Sequence, residues 1–258
     1  WQNGFLRNVR RFSSKKALID PETDRVWTYG DLNREANKLA NALSKIGVKK
    51  NDVVMGALRN SPEFAFLYTG PRKIGAIFLA ANYNLASGEM ALLINHNKPK
   101  VVVYSACIAG IIAEVEKICL WKPELFVMAD NIEGVAVPKN HVSYEKFVEN
   151  FDDEEPEINF RHHIYDEVLR LCTSGTTSLP KSVPINDINE VLSAHDVIMH
   201  YPMDKTDVTL NMTPWFHRGG CHSGGLCPVL YCGACVVVMR TFKPQVSLEW
   251  VEKYKITF

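Results

Sequence analysis

Long apolar runs are missing from this sequence: no uninterrupted stretch reaches the ~18 residues that a membrane-spanning helix requires. An excess of one charge is missing too. Twenty-nine Lys and Arg balance twenty-nine Asp and Glu, for a formal net charge of zero. Without a basic run, or aromatic and basic residues interleaved, the chain carries no footprint for nucleic acid. The stretch that opens at Trp1 has no apolar signal-peptide core. Internal repeats and low-complexity tracts are absent as well. The expectation is a cytoplasmic protein with no nucleic-acid partner and no transmembrane segment.

A second C-x-x-C is the next absence. There are seven cysteines, an odd number. Cys221, Cys227, Cys232 and Cys235 crowd one region with His217 and His222 nearby, yet only Cys232-Gly233-Ala234-Cys235 has ligand-like spacing. A zinc site of the ribbon or finger type needs a second pair of ligands. Cys235 also opens the run Val236-Val237-Val238-Met239, which reads as a buried strand. Free cysteine behaves as a small buried hydrophobe. Structural thiols and no bound metal are therefore expected, with a metal site as the alternative.

The 47% of apolar residues in 258 are enough to fill one large core or two modest ones. Ala36, Leu39, Ala40, Leu43 and Ile46 recur at helical spacing over Glu35 to Ile46, with Gly47 placed to end that helix. Strands are expected at Val53–Leu58, Lys100–Tyr104 and Leu125–Ala129. Helices are expected at Pro62–Ile77, interrupted by Pro71, and at Ser87–Asn95 and Ile111–Ile118. This alternation predicts an α/β fold of mostly parallel, helix-flanked sheets. The acidic segment Glu149 to Glu157 reads as a solvated connector. It suggests a first α/β subdomain over 1–165 and an incomplete second one over 166–258. In the latter, a strand at Val168–Cys172 precedes a helix at about Asp187–His200. A strand at Val208–Met212, a helix or turn at His222–Leu230, a strand at Val236–Met239 and a helix at Ser247–Tyr254 follow.

Thr173 to Lys181 read T-S-G-T-T-S-L-P-K. Hydroxyls, the backbone N–H groups of a turn and one ammonium are what a polyphosphate needs around it. No second glycine directly precedes Lys181, so the stretch is not a P-loop of the Walker type. A Ser/Thr-rich surface turn is the plain alternative.

The run Thr173 to Val183 resembles the phosphate-binding loop T-S-G-T-T-G-x-P-K-G-V of the adenylate-forming superfamily of acyl-CoA synthetases, aryl-CoA ligases, luciferases and peptide-synthetase adenylation domains. It departs from that pattern at Ser178 and Ser182. Trp27-Thr28-Tyr29-Gly30-Asp31-Leu32 is similar to the family's T-Y-x-x-L opening, and Gly75-Ala76-Ile77 with Ala81-Asn82-Tyr83-Asn84 to its G-A-I and N-P region. Thr213-Pro214-Trp215-Phe216-His217 resembles its P-x-F-H segment, and Tyr231 to Phe258 its Y-x-G-A-x-V-V passage. Nearly the whole chain is covered, in the family's order.

The resemblance implies the N-terminal part of an acyl-CoA ligase. Such an enzyme joins a carboxylic acid to ATP as an acyl-adenylate, releases pyrophosphate, and passes the acyl group to coenzyme A. By this likeness Thr173, Ser174, Gly175, Thr176, Thr177, Ser178 and Lys181 belong to the cradle for the β- and γ-phosphates, with Mg²⁺ bridging oxygens. His217 matches the motif histidine of the acyl pocket, where the resemblance implies that it positions the carboxylate or gates the path toward the adenylate. A packed core histidine is the alternative for a ring among aromatics. The family's adenine and ribose motifs and its catalytic lysine domain are expected beyond Phe258. Activity alone is therefore not expected, and a missing C-terminal half or self-association at an exposed sheet edge is. The competing reading is a non-catalytic remnant that folds and binds nucleotide or a partner chain. Glycines at positions 178 and 182 would ease close phosphate approach, and Arg170 needs a partner such as Asp166 or Glu167.

Overall fold

The computed structural model describes residues 1–173 and 181–258. The chain opens with helix α1 (Gln2–Arg11) and a hairpin of strands β1 (Lys16–Asp20) and β2 (Arg25–Thr28). Thr28 then caps α2 (Tyr29–Lys45). Its hydroxyl accepts from the Asp31 N–H, and the Asp31 carboxylate accepts from the Thr28 N–H. This reciprocal box satisfies donors that the first helical turn leaves unpaired. It starts the helix six residues ahead of Glu35, where the apolar periodicity begins. Ala36, Leu39, Ala40 and Leu43 are fully buried along one face.

Alternation follows as expected. The elements are β3 (Val53–Ala57), α3 (Pro62–Lys73), β4 (Ile77–Ala80), α4 (Ser87–Asn97), β5 (Val101–Ser105), α5 (Ala109–Ile118) and β6 (Leu125–Ala129). Pro71 lies in the last turn of α3, and the helix stops at Lys73 instead of reaching Ile77. Gly75, at φ 71°, turns the chain directly into β4. Short β7 (Val142–Ser143) and α6 (Tyr144–Val148) complete this half. The second half contains β8 (Glu167–Thr173), β9 (Lys181–Asn186), α7 (Asp187–His200), β10 (Val208–Leu210), α8 (Arg218–His222), α9 (Leu226–Cys232), β11 (Cys235–Val237) and α10 (Pro244–Lys253).

Among the described residues the strands form a seven-stranded sheet, β7-β6-β5-β3-β4-β8-β9, and a four-stranded sheet, β10-β11-β1-β2. Pairing is parallel except at the β8–β9 and β1–β2 hairpins. The division expected at 165/166 falls inside both sheets. β8 joins β4 in the large sheet, and β11 pairs with β1 across most of the chain, with Leu18 opposite Val236. Thr257 and Phe258 extend the small sheet by bonding to Val208 and Leu210.

The acidic connector is exposed, as expected, and it is also tethered. Asn33, Asn37 and Asn41 stand one turn apart on α2. They donate, at 2.8 Å each, to the Glu155 carboxylate and to the carbonyls of Asp153 and Asp152. Glu155 also pairs with buried Lys73 at 2.8 Å. Side chains at i and i+4 share a helix face, so one stripe holds the whole segment. Arg170 has the partner it needed: Glu167 accepts its guanidinium at 2.7 and 2.9 Å, and Asn97 accepts a third bond at 3.0 Å.

Among the described residues no helix is long and apolar enough to cross a membrane.

Candidate active site

The last residue of β8, Thr173, and the first of β9, Lys181, face each other across the antiparallel ladder. The two ends of the T-S-G-T-T-S-L-P-K run therefore stand at the feet of the β8–β9 pair, one strand spacing apart, about 5 Å. Ser174, Gly175, Thr176, Thr177 and Ser178 lie outside the described residues. Ser182 pairs with Cys172 in regular strand β9, where the backbone is extended and needs no glycine. One of the two departures from the family loop thus has no conformational cost.

Beside this hairpin is a cavity of about 610 Å³. Leu171, Cys172, Thr173, Val183, Pro184 and Ile185 form one wall, and Asn189 of α7, His217 and Arg218 the other. Burial pushes the Cys172 thiol up to about 11, so it is a neutral wall group at physiological pH. The structure thus brings Thr173 and His217, 44 positions apart in the sequence, to one hollow. Lys181 is exposed at the foot of the hairpin and is not part of the wall.

His217 owes its position to a tightly folded turn. Trp215 is fully buried, and its N–H donates to Asn60 Oδ1 at 2.7 Å, while the Asn60 amide donates to the Thr213 carbonyl at 3.1 Å. Phe216 meets Tyr83 edge-on at 5.8 Å. Gly220 allows the turn to close, because a Cβ there would stand 2.0 Å from the Pro214 carbonyl oxygen. With its neighbours anchored, the His217 ring is exposed, and its Nδ1 accepts the Gly219 N–H at 3.1 Å. The core-histidine alternative therefore does not describe this ring. Its other nitrogen, Nε2, has no hydrogen-bond partner among the described residues.

Sequence reasoning missed Arg218 and Asn189. Arg218 donates to Ser193 Oγ at 2.8 Å and forms no ion pair among the described residues. The only signal in the sequence was its position next to His217. A hollow with apolar walls and a hydroxyl, an imidazole and a guanidinium at its rim suits an anion attached to an apolar body.

Known proteins share this architecture. The model of the AMP-binding enzyme family matches residues 5–258. A 4-coumarate–CoA ligase of Vanilla planifolia is 31% identical over 257 residues, covering 98% of this chain and 45% of that protein. 4-coumarate–CoA ligase 1 of Solanum tuberosum is 29% identical with the same two coverages. Among solved structures, the anthranilate CoA ligase AuaEII in complex with anthranoyl-AMP superposes with a TM-score of 0.91 at 22% identity, over 99% of this chain and 48% of that one. The N-terminal domain of FACL13 from Mycobacterium tuberculosis superposes at 0.83 and 23% identity, over 99% and 61%. The structural likenesses establish the fold: mostly parallel, helix-flanked sheets of the kind found in the N-terminal domain of adenylate-forming enzymes. The chain spans about half the length of the curated relatives it matches. With the family model covering nearly every residue, the chain belongs to the AMP-binding enzyme family.

Proposed function

We propose that this chain is the N-terminal part of an ATP-dependent acyl-CoA ligase and carries its phosphate cradle and acyl-pocket wall. The observation that carries the reading is the β8–β9 hairpin, with Thr173 and Lys181 at its two feet beside the cavity that His217 borders. When bound, ATP supplies the α-phosphorus that a carboxylate oxygen attacks as pyrophosphate leaves. Thr173, Ser174, Gly175, Thr176, Thr177 and Ser178 would donate hydroxyl and backbone N–H groups to the β- and γ-phosphates. The Lys181 ammonium would offset their charge. Such work is positioning and electrostatics, with no covalent step by the protein. No carboxylate is among the described residues lining the cavity, and Mg²⁺ would supply charge to the phosphates. His217 Nε2 would hold the substrate carboxylate at the rim, with Arg218 adding charge beside it.

Coenzyme A is the proposed acyl acceptor. The names of the relatives place aromatic acids first on the substrate panel, with aliphatic acids behind them. A ligase of this kind works where ATP and coenzyme A are available, which agrees with the cytoplasmic expectation. Because the chain covers 45% of its relatives' length, the reading gives it nucleotide binding without turnover. Calorimetric titration with MgATP tests this. Losing a charge-assisted contact costs about 1.5–3 kcal/mol, so Lys181→Ala should weaken binding roughly 10- to 100-fold. Unchanged binding in that variant would remove the loop from the site. Absence of binding by the parent would favour the non-catalytic remnant. Carboxylate-dependent pyrophosphate exchange by the 258-residue chain would overturn the division of labour.

A further inference from the structure

Away from the cavity wall, three helices direct three different donor chemistries at one point. Glu190 from α7, His222 at the end of α8 and Cys227 in α9 are all buried. One carboxylate oxygen, one imidazole nitrogen and one sulfur there lie within 4.8 Å of one another. The two oxygens of Glu190 are divided between two tasks. Oε2 accepts from the Tyr68 hydroxyl and from Arg72 Nη2, the latter at 3.2 Å. Oε1 faces His222 Nε2 at 2.5 Å, and Cys227 Sγ is 3.3 Å from the Glu190 carbonyl.

We propose that Glu190 Oε1, His222 Nε2 and Cys227 Sγ form a buried site for a thiophilic divalent metal ion, zinc by donor chemistry. Mixed oxygen, nitrogen and sulfur ligands suit zinc, whose bonds to them are about 2.0–2.3 Å. Such bonds put tetrahedral donors roughly 3.3–3.8 Å apart, a spacing the His222–Glu190 pair reaches when its contact opens by about 1 Å, with Cys227 Sγ within 4.8 Å of both. Two protons move as the ion enters. Cys227 loses its thiol proton, and the proton between His222 and Glu190 leaves Nε2, with Nδ1, which lacks a partner, as its place on the ring. A divalent ion with one thiolate, one carboxylate and a neutral imidazole is an uncharged unit, and the buried Arg72 guanidinium that shares Glu190 stands as the single charge beside it.

The surroundings are those of a ligand shell. Tyr68 and Arg72 hold the other oxygen of the Glu190 carboxylate, as outer partners of metal ligands do. The Arg72 guanidinium is itself stacked between the rings of Trp1 and Tyr68 at 4.4 and 4.3 Å. His222 Nδ1 has no partner among the described residues, which leaves it free to carry the ring proton when Nε2 is the ligand atom. The Cys232–Cys235 pair singled out by its spacing is not in this group.

Because the site is closed, the ion has to enter during folding, and the test is made on chain expressed in cobalt-supplemented minimal medium. Cobalt per chain is measured by mass spectrometry together with the near-ultraviolet absorption band that only thiolate-bound cobalt gives. The expected result is close to one cobalt per chain with that band. Cys227→Ser should abolish the band, and Cys227→Ser and His222→Gln should each lower the content at least tenfold. Cys232→Ser should leave both readings unchanged. Cobalt at the level of the buffer blank, cobalt without the thiolate band, or a Cys227→Ser protein that keeps the parent's band would each overturn the site. If the variants do not fold, content and band in the parent still decide.

Discussion

Where the two sheets meet, Arg240 and Arg59 share the Asp130 carboxylate. Arg240 donates to it at 2.6 Å and to Asp20 at 2.6 and 2.8 Å, and Arg59 donates to it at 2.7 Å and to Glu133 at 2.6 Å. In the α3–α7–α8 cluster one carboxylate, Glu190, serves Arg72, His222 and Tyr68, and three nitrogens of that group are left over. The charged groups of the first set, Arg240, Arg59, Asp20, Asp130 and Glu133, leave no buried side-chain nitrogen or oxygen unpaired, although Oε2 of neighbouring Glu63 is, and they tie the strand ends of one sheet to those of the other. The second is under-satisfied and borders the same helices that carry the candidate site. Buried charge alone therefore does not distinguish scaffold from site. Whether the donors and acceptors balance does.

The largest break of that comparison is Arg240→Leu. It strands the buried carboxylates of Asp20 and Asp130 and should cost about 3–5 kcal/mol in urea unfolding. Arg72→Leu should cost less, about 1.5–3 kcal/mol, because Glu190 keeps His222 and Tyr68. Equal losses would mean that the two clusters do not differ as the geometry says.

pH sharpens the contrast within the first cluster. Burial pushes the Asp20 carboxyl up, but the hydrogen bonds and charge of Arg240 more than reverse this and hold it below the ordinary range. A depressed folded pKa gives stability that is present above the unfolded value, about 3.9, and is lost as pH falls through the folded one. Glu63 at the same junction goes the other way: burial, then the Asp130 charge, raise it to about 7. Its contribution falls as pH rises from about 4.3 to that value. Unfolding midpoints across pH should therefore show Asp20→Asn flattening the acid limb and Glu63→Gln flattening the decline toward neutrality. The reverse assignment would refute both.

The smallest expected effect belongs to the connector. Asn41→Ala removes its bonds to the Asp152 and Glu154 carbonyls and should cost about 0.5–1 kcal/mol. Limited proteolysis should then cut faster within residues 149–160 than in the parent. Unchanged cleavage would mean that the asparagine stripe does not hold the segment.

Much of the large sheet was legible because its strands are continuous apolar runs of four or five residues separated by periodic helices. β3, β5 and β6 came out within a residue or two of expectation. β1, β2, β4 and α1 gave too little local pattern. β1 and β2 acquire their meaning only from β11, more than 200 positions away. The asparagine stripe on α2 was invisible for a related reason. Hydropathy registers what a helix buries and is blind to what its polar face binds. At the candidate site, Thr173, Lys181 and His217 were found through motif likeness, and Arg218 and Asn189, which carry no motif, were not.

By itself the sequence determined the class of the fold, the family and the place of the phosphate-type loop after a strand, since periodicity, caps and motif order are local properties of the chain, while strand β9 and the hairpin it makes with β8 came from the structure. Only the tertiary structure decided which far-apart residues meet: Thr173 with His217 at one cavity, Arg240 with Asp130 between the sheets, and Glu190 with His222 and Cys227 among three helices. Those meetings depend on strand order and helix packing, and the free energy of a buried polar group is set by the partners that packing provides rather than by its neighbours in sequence.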